Sequence, residues 1–219
     1  MFKAENISKA YFNGIVKTSA INNLSFTIGN EVVAVTGPSG SGKTTLLNLL
    51  STLDTVSEGR IFYNDTELTF LPERKCAEFR LNNFGFVFQE FELIPSLNIY
   101  DNIVLPSVFA KKKVDKEFME KVLSLLDLES QIRKMPCELS GGQQQRAAIA
   151  RALIGKPEVI FADEPTGSLD KKNGVTVIKL LVECVREFCK TLIYVTHNED
   201  LAKMSDRIIY IEDGLIISE

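Results

Sequence analysis

The sequence predicts an α/β fold: a mainly parallel sheet covered by helices on both faces, with a mainly helical insertion at roughly 90–156. Three observations predict it. The runs at 31–35, 159–162 and 192–195 are almost wholly apolar, the pattern of short strands buried on both faces. Apolar residues at helical spacing follow or separate them, at Leu46, Leu47, Leu49, Leu50 and Leu53 and at Val175, Ile178, Leu181, Val182 and Val185. Strands alternating with helices build parallel sheets. Between those halves the period is helical, through Phe118, Val122, Leu125 and Leu126 and again over 140–153.

The other elements fall into place along the chain. Phe12-Asn13-Gly14-Ile15 carries the Asn-Gly signal of a tight hairpin turn. Leu24, Phe26 and Ile28 alternate with polar residues, as in a half-buried strand. The stretches 59–63 and 84–88 are further strands, and 207–217 reads as a hairpin about Asp213-Gly214. No internal repeat or linker-like tract breaks the chain. One domain with core 1–89 and 157–219 and a helical subdomain at 90–156 is expected.

Composition excludes several classes. A chain of 219 residues buries about 70% of its unfolded surface, enough for a core without staples. Its 45% hydrophobic and 25% charged residues are globular values. A net charge of -4, from 25 basic and 29 acidic residues, does not suit a nucleic-acid coat or a polybasic membrane binder. The one basic run, Lys111-Lys112-Lys113, adjoins an acidic, helix-patterned stretch and reads as a solvated helix start. Cys76, Cys137, Cys184 and Cys189 form no CxxC pair and lack a histidine at ligand spacing, so free thiols in a reducing compartment are expected. The start lacks the apolar core of a signal peptide, and the longest apolar runs are far below the roughly 18 residues a membrane span needs. The expectation is a soluble, cytosolic chain that reaches a membrane through a partner.

Three segments carry chemistry. Gly37, Pro38, Ser39, Gly40, Ser41, Gly42, Lys43 and Thr44 spell GxxxxGK[ST] between a buried strand and a helix. Polyphosphate binding needs converging backbone N–H groups, and glycine lets the backbone come close. The helix adds its positive N-terminal end. Lys43 reaches the β- and γ-phosphates, the Thr44 hydroxyl suits Mg²⁺, and Thr45 adds a phosphate contact. A simple glycine-rich turn would require neither flanking element. Second, the strand at 159–162 runs into Asp163-Glu164, placing two acids at the carboxyl edge of the sheet, where such folds bind ligands. Asp163 suits support of Mg²⁺; Glu164 suits polarising an attacking water. Third, in Leu139-Ser140-Gly141-Gly142-Gln143-Gln144-Gln145-Arg146, Ser140 and Gln143 form a capping box. The free N–H groups of that helix start, with two glycines, make a second anion-directed surface.

With LSGGQQQR, GPSGSGKT and a strand ending in Asp-Glu in one chain, the sequence resembles the nucleotide-binding subunit of an ABC transporter over essentially its whole length. The resemblance implies a RecA-like P-loop NTPase core with an antiparallel β subdomain and a helical signature subdomain. It implies an ATP- and Mg²⁺-dependent ATPase acting as an ATP-dependent homodimer. Each ATP would lie between the phosphate loop of one copy and Ser140, Gly141, Gly142 and Gln143 of the other. It also implies an integral-membrane permease as a separate chain, a peripheral place on the cytoplasmic face of the membrane, and no nucleic-acid partner.

Further residues match the family one by one. Gln89, ending FGFVFQ, resembles the glutamine that senses Mg²⁺ and the attacking water and opens the insertion facing the permease. Ser168-Leu169-Asp170 resembles the loop linking the two active sites. His197, the single histidine, resembles the switch residue on the γ-phosphate, and Tyr11 the aromatic that stacks on adenine. The segments 163–170 and 91–102 resemble the branch of lipoprotein-releasing, macrolide-exporting and peptide-resistance transporters. Ser168 stands where that branch often has Asn. The function implied is export or extraction of a peptide, lipoprotein or drug. The alternative is signalling or cell-division control through the same ATPase without cargo. A tandem translation or DNA-repair ATPase and a plain phosphate-loop kinase fit worse, because the chain has neither a second cassette nor a coiled coil, and kinases have no LSGGQ.

Overall fold

The computed structural model describes residues 1–14, 16–189 and 191–218. In chain order the elements are β1 (Phe2–Asn13), β2 (Val16–Ile28), β3 (Val32–Thr36), α1 (Lys43–Leu50), β4 (Glu58–Tyr63), β5 (Thr66–Glu67), α2 (Glu73–Asn83), β6 (Phe84–Val87), α3 (Ile99–Phe109), α4 (Lys116–Leu125), a 3₁₀ turn (Pro136–Glu138), α5 (Gly141–Ile154), β7 (Val159–Asp163), α6 (Lys171–Phe188), β8 (Thr191–Val195), α7 (Glu199–Ala202), β9 (Arg207–Glu212) and β10 (Leu215–Ser218). The fold is α/β with one antiparallel and one largely parallel set of strands, as the sequence predicts. Two compact units are formed, one by Met1–Arg80 with Ile193–Glu219 and the other by Leu81–Leu192.

In the first unit an antiparallel sheet runs β2-β1-β4-β5. β1 and β2 pair from Phe2 opposite Ile28 to Asn13 opposite Val16, with register shifts between Ala4 and Ala10. Asn6 and Asn23 sit at φ 48° and 49°, a left-handed conformation that short amide side chains tolerate. Ile7, Ile21, Leu24, Phe26 and Ile28 are buried on one face, and the Phe2 and Tyr63 rings lie 4.7 Å apart at their centroids. The second group of strands runs β10-β9-β3 with the end of β8 beside β3. β3 is buried along its whole length and pairs in parallel with β9. β9 and β10 close as a hairpin about Asp213 and Gly214, at φ 48° and 74°, the two left-handed residues that a type I′ turn requires.

In the second unit β6 and β7 pair in parallel, and the start of β8 adjoins β7. α5 is the hub: it packs against α3, α4, α6 and β6, burying Ala147, Ala148, Ile149, Ala150 and Leu153. α6 presents Val177, Ile178, Leu181, Val182 and Val185 to the interior. Asp170 caps it, accepting from the backbone N–H groups of Lys172 and Asn173, both at 3.1 Å.

Several expectations change. The run Lys111-Lys112-Lys113 is not a helix start: α3 ends at Phe109, the run is an exposed connection, and α4 begins at Lys116 behind Asp115, whose carboxylate accepts from the Phe118 N–H at 3.1 Å. Leu53 is not on the α1 face: the helix closes at Ser51, Thr52 turns left-handed at φ 59°, and Leu53 is 46% exposed. The turn expected over 12–15 begins at Asn13 and Gly14, but Ile15 lies outside the described residues. Among the described residues no helix is long and apolar enough to cross a membrane.

Candidate functional site

In the first unit β3 delivers the chain into the loop 37–42, and α1 leads it away at Lys43. Two glycines shape that loop. Gly37 stands at φ 139°, and a β-carbon there would lie 1.9 Å from the Ile211 carbonyl oxygen. Gly42 precedes α1 at φ 104°, with the Ala20 carbonyl oxygen 2.3 Å from where a β-carbon would be. Only glycine satisfies both demands at once. Pro38, Ser39 and Gly40 are left on the surface. Lys43 is 5% exposed and folds back so that Nζ donates to the Pro38 carbonyl at 2.6 Å. Thr44 is exposed and Thr45 half-buried at the helix start.

The loop fits a phosphate chain. The Ser41 hydroxyl is buried and has no hydrogen-bond partner, an orphan that a phosphate oxygen would satisfy. A lysine, a helix N-terminus and an exposed glycine-rich backbone surround it, the donor set that polyphosphate needs. Within this unit the Thr44 hydroxyl is a hard oxygen donor, the type Mg²⁺ takes alongside phosphate oxygens; Gln89 and Asp163 of the second unit carry donors of the same type.

Tyr11 is fixed from two sides. Its hydroxyl donates to Asp54 Oδ2 at 2.7 Å, and the Lys9 ammonium lies 4.9 Å from its ring centroid. Lys9 also donates to Asp54 Oδ1 at 2.5 Å and to the Thr55 carbonyl at 2.7 Å. Burial, with the Asp54 hydrogen bond, raises the Tyr11 phenol above its ordinary range, while a hydrogen bond with Thr45 opposes this. That last contact ties the ring to the first turn of α1. Burial works against ionising Asp54, but hydrogen bonds from Lys9 and Tyr11 outweigh it and hold the carboxyl below the usual range. Sequence reasoning missed Asp54 and Lys9, since neither stands in a motif.

His197 follows β8, on an exposed loop between buried Thr196 and Asn198, the cap of α7. It lines an open concavity of this unit together with Thr36 and Gly37, the entrance to the loop.

In the second unit β7 ends in half-buried Asp163, and half-buried Glu164 follows it. Glu164 is left-handed at φ 44°, and its carbonyl accepts from the Gly167 N–H at 2.9 Å. A glutamate in that region is strained, and such strain gathers at functional turns. The Gln89 side chain lies over this turn: a β-carbon on Gly167 would be 2.7 Å from its amide carbon.

The signature segment opens α5. Ser140 Oγ accepts from the Gln143 N–H at 3.4 Å, and Gln143 Oε1 accepts from the Ser140 N–H at 2.9 Å, the capping box expected from sequence. Ser140 is exposed, Gly141 lies beside Leu169 and Phe91, and Gly142 lies beside Asn173. The helix start therefore touches the loop 168–173. Hydrogen bonds from the Asn173 backbone and side chain hold Asp170 there below the usual carboxylate range.

The sequence-predicted residues thus fall in two groups. Tyr11, the loop 37–45 and His197 belong to the first unit; Gln89, 140–143, Asp163, Glu164 and 168–170 belong to the second. Sequence reasoning also missed Gln145, wholly buried one turn into α5, and Arg151, which donates to the Phe91 carbonyl at 2.8 Å and to that of Glu92.

A family model for ABC transporters matches residues 21–167. The lipoprotein-releasing system ATP-binding protein LolD of Idiomarina loihiensis is 37% identical over 222 residues, covering 100% of this chain and 97% of that protein. The macrolide export ATP-binding/permease protein MacB of Campylobacter fetus is 40% identical over all of this chain, which spans 34% of that longer protein. The solved dimer of the ATP-binding cassette MJ0796 in a post-hydrolysis state, bound to ADP and Pi, superposes with a TM-score of 0.88 at 38% identity, covering 100% of this chain and 97% of that one.

Proposed function

The chain belongs to the ABC transporter family and is an ATP-binding, ATP-hydrolysing cassette; on that premise we propose that it works as an ATP-dependent homodimer driving a separate membrane permease. The cargo class is a lipoprotein, peptide or drug, which similarity to LolD and MacB supports. On this reading the permease holds the chain at the cytoplasmic face of the membrane, through the surface of the segment 90–156.

The reaction is attack of water on the γ-phosphorus, with cleavage of its bond to the β–γ bridging oxygen and release of ADP and phosphate. Backbone N–H groups of 37–45 cradle the phosphates, and the Lys43 ammonium offsets their charge as it shifts toward the leaving group. Thr44, Gln89 and Asp163 would supply oxygen donors for Mg²⁺, which when bound would neutralise phosphate charge. Glu164 accepts a hydrogen bond from the attacking water and polarises it, and Gln89 orients that water. His197 holds the γ-phosphate, and Tyr11 stacks on adenine. Ser140, Gly141, Gly142 and Gln143 of a second copy close over the phosphates from the other side.

One observation carries this reading. A single chain presents two anion-directed turns, the loop 37–42, exposed at Pro38, Ser39 and Gly40, and the capped start of α5 at exposed Ser140. A dimer gives both of them the same ligand. Glu164→Gln keeps size and hydrogen bonding but removes the base, so ATP should persist and bridge two copies. Size-exclusion chromatography with light scattering should show a dimer in ATP that reverts in ADP. Adding Ser140→Arg should abolish the dimer while ATP still binds. A monomer at millimolar ATP, with ATP demonstrably bound, overturns the shared-site mechanism.

A further inference from the structure

Gln145 is the one polar side chain of α5 with no exposure at all. Its Nε2 donates to the Pro165 carbonyl at 2.7 Å and also to the Phe88 carbonyl at 3.3 Å. Both neighbours are acceptors, so the amide orientation follows from chemistry: a flipped amide would set oxygen against two carbonyl oxygens. Oε1 is then left buried with no partner. An apolar residue would avoid that orphan, which normally destabilises a fold. The two donors are therefore what a glutamine supplies here that a leucine could not.

The two carbonyls are significant. Pro165 directly follows Glu164, whose left-handed backbone at φ 44° needs its surroundings to hold it. Phe88 directly precedes Gln89. One side chain on the signature helix thus grips the peptide next to each of Glu164 and Gln89, the two residues that polarise and orient the attacking water in the proposed reaction. Arg151, further along α5, grips the same segment beyond Gln89 through the Phe91 and Glu92 carbonyls, and those two residues are themselves left-handed, at φ 63° and 50°.

We propose that Gln145 is a positioning residue for hydrolysis: it locks the Glu164 turn and the backbone leading from β6 into Gln89 to the signature helix, so that a displacement of α5 is transmitted to both. The inference rests on the roles given above to Glu164 and Gln89. Gln145 itself touches neither nucleotide nor water. A misplacement of one ångström in the groups around a reacting atom can cost on the order of a hundred-fold in rate.

The test compares Gln145→Leu and Gln145→Met, which keep an apolar body of similar size and remove both donors. With the full chain, steady-state phosphate release should show kcat down roughly ten- to a hundred-fold, with KM for ATP within about twofold of wild type. The melting midpoint should fall by only about 2–10 °C, the scale of one orphaned buried carbonyl in a domain this size. A double-mutant cycle supplies the readout that a purely structural role would not move. If Gln145 acts partly through Glu164, adding Gln145→Leu to Glu164→Gln should lower the residual single-turnover rate by a distinctly smaller factor than it lowers that of wild type.

Wild-type kcat in a folded Gln145→Leu or Gln145→Met overturns the proposal. So does a fully multiplicative loss in the double variant, and so does failure of both variants to fold, which leaves Gln145 a packing role only. Wild-type turnover in Glu164→Gln alone would instead sink the role given to Glu164, and it is read independently of the Gln145 variants.

Discussion

Tyr11→Ala should weaken ATP binding without slowing the chemistry, by an amount the structure sets. Tyr11 is 43% exposed, with the Lys9 ammonium over its ring at 4.9 Å and the hydroxyl tied to Asp54 at 2.7 Å. The residue is thus oriented before any nucleotide arrives, and its exposed surface is what a base can stack on. Stacking of a base on an aromatic side chain contributes about 1–3 kcal/mol, or roughly 5- to 150-fold in Kd. Loss of the hydroxyl contact should destabilise little, because Asp54 keeps Lys9 at 2.5 Å and the Thr55 N–H at 2.7 Å. One exposed hydrogen bond is about 1 kcal/mol or less, some 2–4 °C in melting midpoint for a chain of this length.

Tyr11→Phe separates the two contributions. It keeps the stacking face and frees the ring from Asp54, so Kd should rise by no more than about fivefold, the equivalent of 1 kcal/mol of lost orientation. Equilibrium titration with a fluorescent ATP analogue gives Kd, and steady-state phosphate release gives kcat and KM. The Ala variant should show a raised Kd and KM with kcat nearly intact, the signature of lost uniform binding. An unchanged Kd in Tyr11→Ala refutes the stacking assignment. A collapsed kcat with unchanged Kd refutes it differently, by putting Tyr11 in the chemistry.

Lys43→Ala removes an ammonium folded over the loop 37–42 and should leave phosphate release below about 1% of wild type; wild-type turnover would contradict the assignment of the loop. Lys9→Met should flatten the acid limb of stability. Asp54 is partly buried, which disfavours its charge, but hydrogen bonds from Lys9 and Tyr11 depress its folded-state value, so its contribution is complete above the carboxylate range and is lost as pH falls through that depressed value. Melting midpoints between about pH 6 and pH 2 should fall less steeply in Lys9→Met than in wild type, and superimposable acid limbs would refute the pairing.

What was legible in the sequence is what needs a particular residue type. Gly37 and Gly42 are demanded by positive φ together with a carbonyl where a β-carbon would be, and Asp213-Gly214 by the type I′ turn. Ser140 and Gln143 are demanded by a reciprocal cap. Elements resting on averages were harder to see. The β1–β2 ladder has three register shifts, so its buried residues break the period of two over Ala4, Ile7 and Ile21. α2 buries Cys76 alone, so no apolar stripe announces it. α3 is apolar nearly all round and carries Pro106, which hides both its period and its end. Lys111 turns left-handed at φ 54° after α3, and a run of lysines carries no signal of that turn.

The residues that hold the candidate site in place are of another kind. Gln145 on the Pro165 and Phe88 carbonyls, Arg151 on the Phe91 and Glu92 carbonyls, and Asn102 on those of Ile94, Leu97 and Asn98 all make side-chain-to-backbone bonds. A carbonyl is the same in every residue, so the gripped partner leaves no mark in the sequence, and only the gripping side chain can be read. Asn102 is wholly buried, and its amide also accepts from the Ile94 N–H at 2.7 Å, which fixes the irregular segment 94–98 without any regular element. Gln145 and Arg151 do the same on either side of Gln89. The chain from 88 to 98 contains left-handed residues and a proline, and three polar side chains from helices hold it. Such a segment keeps one shape while exposing a surface, as Ile94 does at 39%. A movement of α5 carries its backbone along through Gln145 and Arg151, without requiring the segment to unfold.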